Sequence, residues 1–151
     1  MPHGLDPAAR KYFSLVKGTP GEQEVGFVGH NIGADKPYDK FVGTETDVKL
    51  RYQPGPETVN QFTYHTHPSN EPSPLMALPS EQDLISAING LKTGLRGMTI
   101  YSGPYFTTLV PSERARTSNI SNYINAVHNG DLEGAIAILK NMGFDIETGQ
   151  F

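Results

Sequence analysis

Two short stretches of the chain determine how the rest of it is interpreted: Gln61-Phe62-Thr63-Tyr64-His65-Thr66-His67-Pro68 and Pro79-Ser80-Glu81-Gln82-Asp83-Leu84. The first is β-prone and stops at a proline, so it predicts a strand over 61–67. Residues two apart on a strand point to the same face, which puts His65 and His67 side by side. Ser80 is a favourable N-cap and places Asp83 in the first turn of the next helix. An Asp there can meet the two histidines, and three such ligands form a metal site with one open position.

The sequence around these stretches predicts a mixed set of helices and strands. A first helix is expected at about 6–17, followed by strands over 24–31 and 40–52. After Ser80 a central helix follows, with apolar residues at helical spacing up to Gly94. A hairpin around Gly103-Pro104 is expected to join strands 98–102 and 105–110. Two helices then close the chain, one ending at Asn129-Gly130 and one running from the cap Asp131 to Gly143. The apolar residues assigned to the central helix are Leu84, Ile85, Ile88, Leu91 and Leu95.

This order of elements predicts an α+β fold in which a mixed sheet is flanked by helices. With 151 residues, 36% of them hydrophobic, the chain is expected to form one domain over 1–151 that includes C-terminal helices at about 113–143. There is no cysteine, so disulfides, cysteine zinc sites and a thiol nucleophile are excluded.

Charge and hydropathy exclude some classes of partner. The net charge is −4 and the basic residues are scattered, which gives no field for a nucleic-acid backbone. No apolar run approaches the length of a membrane span, and the N-terminus lacks the pattern of a signal peptide. The expectation is a protein that binds neither nucleic acid nor membrane, and that is cytoplasmic or delivered as part of a larger secreted protein.

Zinc is the first choice of metal for His65, His67 and Asp83, because it takes imidazole and carboxylate ligands in a compact tetrahedral arrangement. Zinc lowers the pKa of its water to roughly 7, so a carboxylate must accept the proton. Glu24 is the best candidate, since the glycines that follow it leave room for a substrate. Glu22, on the same alternation, is the second choice.

Simpler interpretations exist for the same residues. A His-x-His pair on a strand can be a polar surface pair, and Ser80-x-x-Asp83 can be a plain capping box with Asp in place of Glu. A cap and a ligand are nevertheless compatible, because the cap fixes Asp83 where a ligand would have to lie. The remaining histidines are interpreted as non-ligands: His128 as a charge at a helix C-terminus, His3 and His30 as surface residues.

These residues resemble the signature of the JAMM/MPN+ (JAB-domain) metalloproteases. That signature has a Glu on an early strand, then His-x-His-Pro, then Ser-x-x-Asp, in the order seen here. The resemblance implies a cytidine deaminase-like α/β/α layered fold with a curved sheet. It also implies zinc ligands at His65, His67 and Asp83, a general acid/base at Glu24, and at Ser80 a hydrogen-bond donor to the tetrahedral intermediate.

The chain departs from the family pattern in two places. His67 and Asp83 are 16 positions apart (83 − 67 = 16), which makes this gap about five residues longer than in the family. The family's Glu commonly lies three residues before the first glycine of its strand, where this chain has Gln23. The Pro-rich gap is typical of bacterial relatives rather than of eukaryotic deubiquitinases. Related domains occur in DNA-repair-associated proteins, phage tail proteins and secreted bacterial toxins.

The leading hypothesis is zinc-dependent hydrolysis of a peptide or isopeptide bond in a protein or peptide substrate, including ubiquitin-like ones. A catalytically silent binding scaffold is the alternative. A barrel amidohydrolase, which also uses His-x-His, needs about 250 residues and is too long for this chain. Residues 69–79 are expected either to border the substrate cleft and select the chain being cut, or to cover the core with Leu75, Met76 and Leu78.

Overall fold

The computed structural model describes residues 25–29, 38–42, 61–67, 71–93 and 95–150. Three helices lie in these ranges: α1 (Glu81–Gly90), α2 (Ile120–His128) and α3 (Leu132–Asn141). A 3-10 turn, Leu91–Thr93, extends the end of α1. The strands are β1 (Val25–Gly29), β2 (Tyr38–Val42), β3 (Gln61–Thr66), β4 (Leu95–Ser102), β5 (Tyr105–Pro111) and β6 (Phe144–Gln150).

The described strands form one mixed sheet in the order β2-β1-β3-β4-β5-β6. Among the strands that the structure describes, only the β3–β4 pair is parallel, and the other pairs are antiparallel. Parallel neighbours cannot be joined by a tight turn, and the chain between them includes α1. A crossover helix begins near the carboxyl end of the strand before it, which is where α/β sheets usually place their ligands. The topology therefore brings the end of β3 to the start of α1.

The three helices pack on one face of the sheet. The register pairs His65 with Ile100 and Ile100 with Thr107, so these side chains share that face. Tyr64 and Tyr101, which project to the opposite face, are buried as well. The core between helices and sheet consists of Leu78, Leu84, Ala87, Met98, Ile100, Leu109, Ala115, Tyr123, Ala135, Leu139, Met142 and Phe144.

Much of the predicted element order is confirmed. The strand over 61–67, the helix capped by Ser80, the hairpin at Gly103-Pro104 and the last two helices are all present. The α+β class and the mixed sheet are confirmed too. β1 lies within the strand predicted over 24–31, and β2 overlaps the strand predicted over 40–52 only at 40–42. The rest of that predicted strand and the helix at 6–17 lie outside the described residues.

Two predictions about secondary structure were wrong. Leu95 does not continue the central helix but opens β4, where it is buried. Leu95 packs directly against Gly90 at the end of α1, an approach that a side-chain carbon at position 90 would block. The chain also does not close on helices: Phe144–Gln150 forms β6 along β5. Phe144 is buried and Ile146 half-buried, and the alternating Asp145 and Glu147 are exposed, so the alternation of a strand is present in this stretch.

Within the described ranges, no helix combines the length and the apolar character needed to cross a membrane.

Candidate metal centre

His65 lies inside the sheet near the carboxyl end of β3. Its backbone is paired with Gly26 of β1 on one side and with Ile100 of β4 on the other. The residue is 5% exposed. A residue held in register on both sides can shift little, so the sheet fixes the His65 backbone and the face from which its side chain projects.

His67 follows the last residue of β3 and is fixed by other contacts. Its backbone N–H donates to the carbonyl oxygen of Tyr101 at 2.8 Å, which continues the strand pairing by one residue. Its ring Nδ1 lies 3.0 Å from the carbonyl oxygen of Met76. A carbonyl only accepts hydrogen bonds, so Nδ1 carries the proton of this contact. The Nε2 atom of a neutral His67 is then a lone-pair donor that faces His65 and Asp83.

Asp83 is positioned by the capping box of α1. Its backbone N–H donates to Ser80 Oγ at 3.1 Å, and Ser80 N–H donates to Asp83 Oδ2 at 2.9 Å. The carboxylate is thereby turned back over the start of the helix. Oδ1 lies 3.2 Å from His65 Nε2, and Oδ2 lies 3.3 Å from His67 Nε2. The Asp83 side chain thus takes part in the predicted capping box and also approaches both histidines, as predicted.

The distances between facing atoms of the three side chains are close to those of a tetrahedral zinc site, with His65 and His67 facing different oxygens of Asp83. The two Nε2 atoms are 3.2 Å apart, and each lies 3.2 or 3.3 Å from a carboxylate oxygen of Asp83. Ligands held about 2.0–2.1 Å from a zinc ion at tetrahedral angles are about 3.3–3.4 Å apart. No second group of this kind occurs among the residues that the structure describes.

Hydrogen bonds alone do not account for these contacts when both histidines are neutral. The lone pair of His67 Nε2 faces Asp83 Oδ2, and both atoms are acceptors. A proton on His65 Nε2 can serve only one of its two neighbours well. The three side chains therefore favour a positive charge between them. That charge is either a proton that makes one histidine cationic or a metal ion. A metal ion satisfies all three lone pairs together.

The ionisation of the Asp83 carboxyl is consistent with a positive charge between the three side chains. Burial by itself raises the pKa of the Asp83 carboxyl, but attraction to His65, a hydrogen bond from His65 and the nearby His67 ring outweigh burial. The pKa ends well below its usual value, and the carboxyl is ionised at neutral pH. An ionised carboxylate is the form that binds a metal.

The segment 71–79 is attached both to the core and to the site. Ser73 N–H donates to Ser102 Oγ on β4 at 3.4 Å, and Met76 N–H donates to Ser73 Oγ at 3.1 Å. Leu78 is buried in the core and Leu75 packs against that core, as the core-covering alternative expected. Met76 differs: its side chain is 41% exposed while its carbonyl holds His67.

The predicted site residues are placed as follows. His65, His67 and Asp83 come together, and Ser80 lies beside them as the N-cap of α1. His128 is exposed at the end of α2 and is not part of the group. Four residues named in the predictions lie outside the described part of the chain: Glu24, Glu22, His3 and His30.

Two contributors were not predicted from the sequence. The Met76 carbonyl, which orients His67, is a backbone group and leaves no signal in residue types. The Tyr123 hydroxyl donates to the carbonyl oxygen of Pro79, directly before Ser80, at 2.5 Å. A tyrosine at a core position of a helix does carry a signal, because a buried hydroxyl requires a partner. Burial, with the charge of Asp83, raises the pKa of Tyr123, which keeps the hydroxyl a donor.

Comparison of the chain with protein-family models, with curated proteins and with solved structures finds no match in any of the three. The resemblance to the JAMM/MPN+ proteases, including their fold, therefore stays a prediction from the motif. Support for the metal centre comes from the geometry of His65, His67 and Asp83.

Proposed function

We propose that this chain is a zinc-dependent hydrolase of amide bonds, peptide or isopeptide, in which His65, His67 and Asp83 hold the metal. The observation that carries the proposal is the meeting of three ligand side chains whose facing atoms lie 3.2–3.3 Å apart, with the His67 lone pair turned inward by the Met76 carbonyl. Three protein ligands leave one tetrahedral position for water or substrate, which is the pattern of catalytic zinc sites.

When bound, zinc supplies polarisation of the substrate carbonyl and a water of lowered pKa. The residues of the chain then have separate tasks. His65 and His67 provide neutral nitrogen ligands, His65 from a backbone fixed by the sheet and His67 oriented by the Met76 carbonyl. Asp83 provides a carboxylate already ionised at neutral pH.

Ser80 is suited to donate a hydrogen bond to an oxyanion. Its Oγ accepts from Asp83 N–H, which occupies a lone pair and leaves the hydroxyl proton for another acceptor. The residue is exposed at the start of α1, next to the ligand Asp83. A donor at this place would stabilise negative charge developing on the carbonyl oxygen of the substrate.

Glu24 is our candidate for the proton carrier, taking a proton from water and returning it to the leaving amine. β1 runs antiparallel to β3, so β1 begins at the end of the sheet where β3 ends. Gly26, the partner of His65 in this ladder, has no side chain and comes two positions after Glu24 in the chain. These facts support a carboxylate entering the site from that side, with Glu22 as the second choice.

The proposed family is that of the JAMM-type metallopeptidases, in their bacterial form. The order Glu24, His65-x-His67-Pro68, Ser80-x-x-Asp83 supports it, as does the mixed sheet with a helix between its parallel strands. The proposed substrate is a protein or peptide, including ubiquitin-like isopeptides, and the segment 71–79 is proposed to border its binding cleft.

The proposal is tested by cleavage assays on zinc-loaded protein, with ubiquitin-type isopeptides and short linear peptides as substrates. Glu24→Gln is expected to keep stoichiometric zinc and lose turnover, and His65→Ala to lose both. His128→Ala, an exposed histidine away from the site, is the matched control and should behave as wild type.

Each outcome of this assay has a distinct meaning. Full activity in Glu24→Gln moves the proton-carrying role to Glu22 or defeats the mechanism. Zinc binding without cleavage of any amide contradicts the enzyme and favours the binding scaffold. Wild-type protein that binds no zinc contradicts the metal centre itself.

A further inference from the structure

The hydrogen bond between Tyr123 and Pro79 joins the C-terminal helices to the metal centre. Tyr123 is on α2, 44 residues from Pro79 in the chain, and is 1% exposed. Its ring packs in the core with residues of α1, α3 and the sheet. Packing would be served equally by a phenylalanine, so the hydroxyl is the feature that needs an explanation.

The Pro79 carbonyl and the Ser80 N–H belong to a single planar peptide group. The oxygen of this group accepts from Tyr123, while its N–H donates to Asp83 Oδ2 at 2.9 Å. Hydrogen bonds in such a chain polarise one another, so a donor at the oxygen strengthens donation by the N–H. The plane also transmits orientation, because fixing its oxygen fixes the direction of its N–H.

We propose that Tyr123 is a positioning residue for the metal centre, acting on the ligand Asp83 through the Pro79–Ser80 peptide. Tyr123 touches neither the metal nor the substrate. Its hydroxyl holds the peptide so that Ser80 N–H occupies one lone pair of Asp83 Oδ2 and turns the carboxylate toward the histidines. The inference rests on the proposed zinc site and adds a residue that the family motif does not contain.

A purely structural role for Tyr123 predicts something different. In that case the hydroxyl only finds an acceptor within the core, and its loss lowers stability without changing the metal. A positioning role predicts that zinc affinity and ligand geometry change even in protein that is fully folded. The two roles are therefore separated by measurements on the metal rather than by unfolding.

The test compares Tyr123→Phe with wild type in zinc competition against a chelator and in the visible spectrum of the cobalt-substituted protein. We expect zinc affinity to fall about tenfold, the lower end of the range for removing partners of metal ligands. We also expect the cobalt bands, which report ligand geometry, to shift or lose intensity.

Thr99→Val is the matched control. It also deletes a hydroxyl from a buried hydrogen bond, that of Thr99 Oγ1 with Thr108 Oγ1 at 2.9 Å. This pair lies on the face of the sheet opposite to His65. The control should lose stability but keep zinc affinity within about twofold and leave the cobalt spectrum unchanged.

Folded Tyr123→Phe with wild-type affinity and spectrum overturns the inference while the zinc site stands. Wild-type protein that binds no zinc overturns the site and the inference together. If Tyr123→Phe does not fold, 3-fluorotyrosine placed at position 123 keeps the ring and offers a stronger donor. A changed cobalt spectrum in that protein supports the positioning role, and an unchanged one overturns it.

Discussion

The N-termini of α1 and α3 use the same local device and differ in what surrounds it. At α1, Ser80 Oγ accepts from Asp83 N–H at 3.1 Å; at α3, Asp131 Oδ1 accepts from Gly134 N–H at 2.9 Å. Both helices thus begin on a side-chain cap. The two starts differ in the third residue of the helix. At α1 this residue is Asp83, whose carboxylate also faces His65 and His67 at the end of β3.

The comparison shows that tertiary placement, and not the cap itself, brings a carboxylate to the two histidines. The crossover between parallel β3 and β4 sets the start of α1 beside the end of β3. Asp131 is exposed and follows the turn at Gly130, at the end of α2 instead of the end of a strand. Local sequence predicts that both helices are capped, and the topology decides which cap can hold a metal.

The largest expected difference between the two helix starts is in zinc affinity. Asp83→Ala removes a ligand and should weaken zinc binding by more than about 100-fold, beyond the usual effect of residues that only support a ligand. Asp131→Ala should bind zinc as wild type does. Chelator competition on the two purified variants measures this, and equal affinities would remove the distinction between the caps.

The second prediction concerns thermal stabilisation by zinc. Free zinc at about 100 times its Kd stabilises the folded state by about 2.7 kcal/mol. For a chain of this length that is a rise in Tm of about 5–10 °C. Wild type and Asp131→Ala should both show the rise in calorimetry, and Asp83→Ala should not. A rise in Asp83→Ala would mean that the stabilising zinc binds elsewhere.

The third prediction uses the lowered pKa of Asp83 in the zinc-free protein. Above about pH 4 the carboxyl is ionised in both folded and unfolded chains, and its contribution to stability is complete. As the pH falls below 4, the unfolded chain takes up the proton first, so stability is lost until the pH passes the lower, folded pKa.

Asp83→Asn keeps an oxygen acceptor for Ser80 N–H but lacks this titration. Its stability should therefore fall less steeply than that of wild type on acidification from pH 5 to pH 2. Urea unfolding in the presence of a chelator gives the two profiles. Parallel profiles would contradict the ionised, histidine-paired state of Asp83.

The smallest predicted effect is that of the plain cap. Asp131→Ala should destabilise the protein by about 1 kcal/mol, the usual loss for an N-cap. For about 150 residues this lowers Tm by about 2–4 °C. The same loss should be measured with and without zinc, because this cap has no part in the metal centre. A loss that depends on zinc would show that α3 is coupled to the site.

The sequence predicted much of the site because each of its parts is a local signal. Strand alternation put His65 and His67 on one face, and the Ser80 cap placed Asp83 in a first turn. Both signals depend on residue types a few positions apart. These signals do not predict that the end of β3 and the start of α1 lie together, because that depends on the parallel β3–β4 pairing.

The errors have a related cause. Leu95 continues the apolar helical spacing, but it opens β4 and packs back against Gly90 of α1, a contact between two elements that spacing along one helix does not predict. β6 is short of apolar residues because only its inward side is covered, and pairing with β5 defines it. The Met76 carbonyl contacts His67 from the connecting segment, and the Tyr123 hydroxyl contacts Pro79 across 44 residues, so no spacing rule of a strand or helix includes them.

The most direct test of the metal centre is the zinc K-edge X-ray absorption spectrum of the wild-type protein loaded with one equivalent of zinc. We predict a four-coordinate zinc with two imidazole nitrogens and oxygen ligands at about 2.0–2.1 Å, with the multiple-scattering signal of histidine. A six-coordinate, all-oxygen zinc without imidazole scattering would contradict the account.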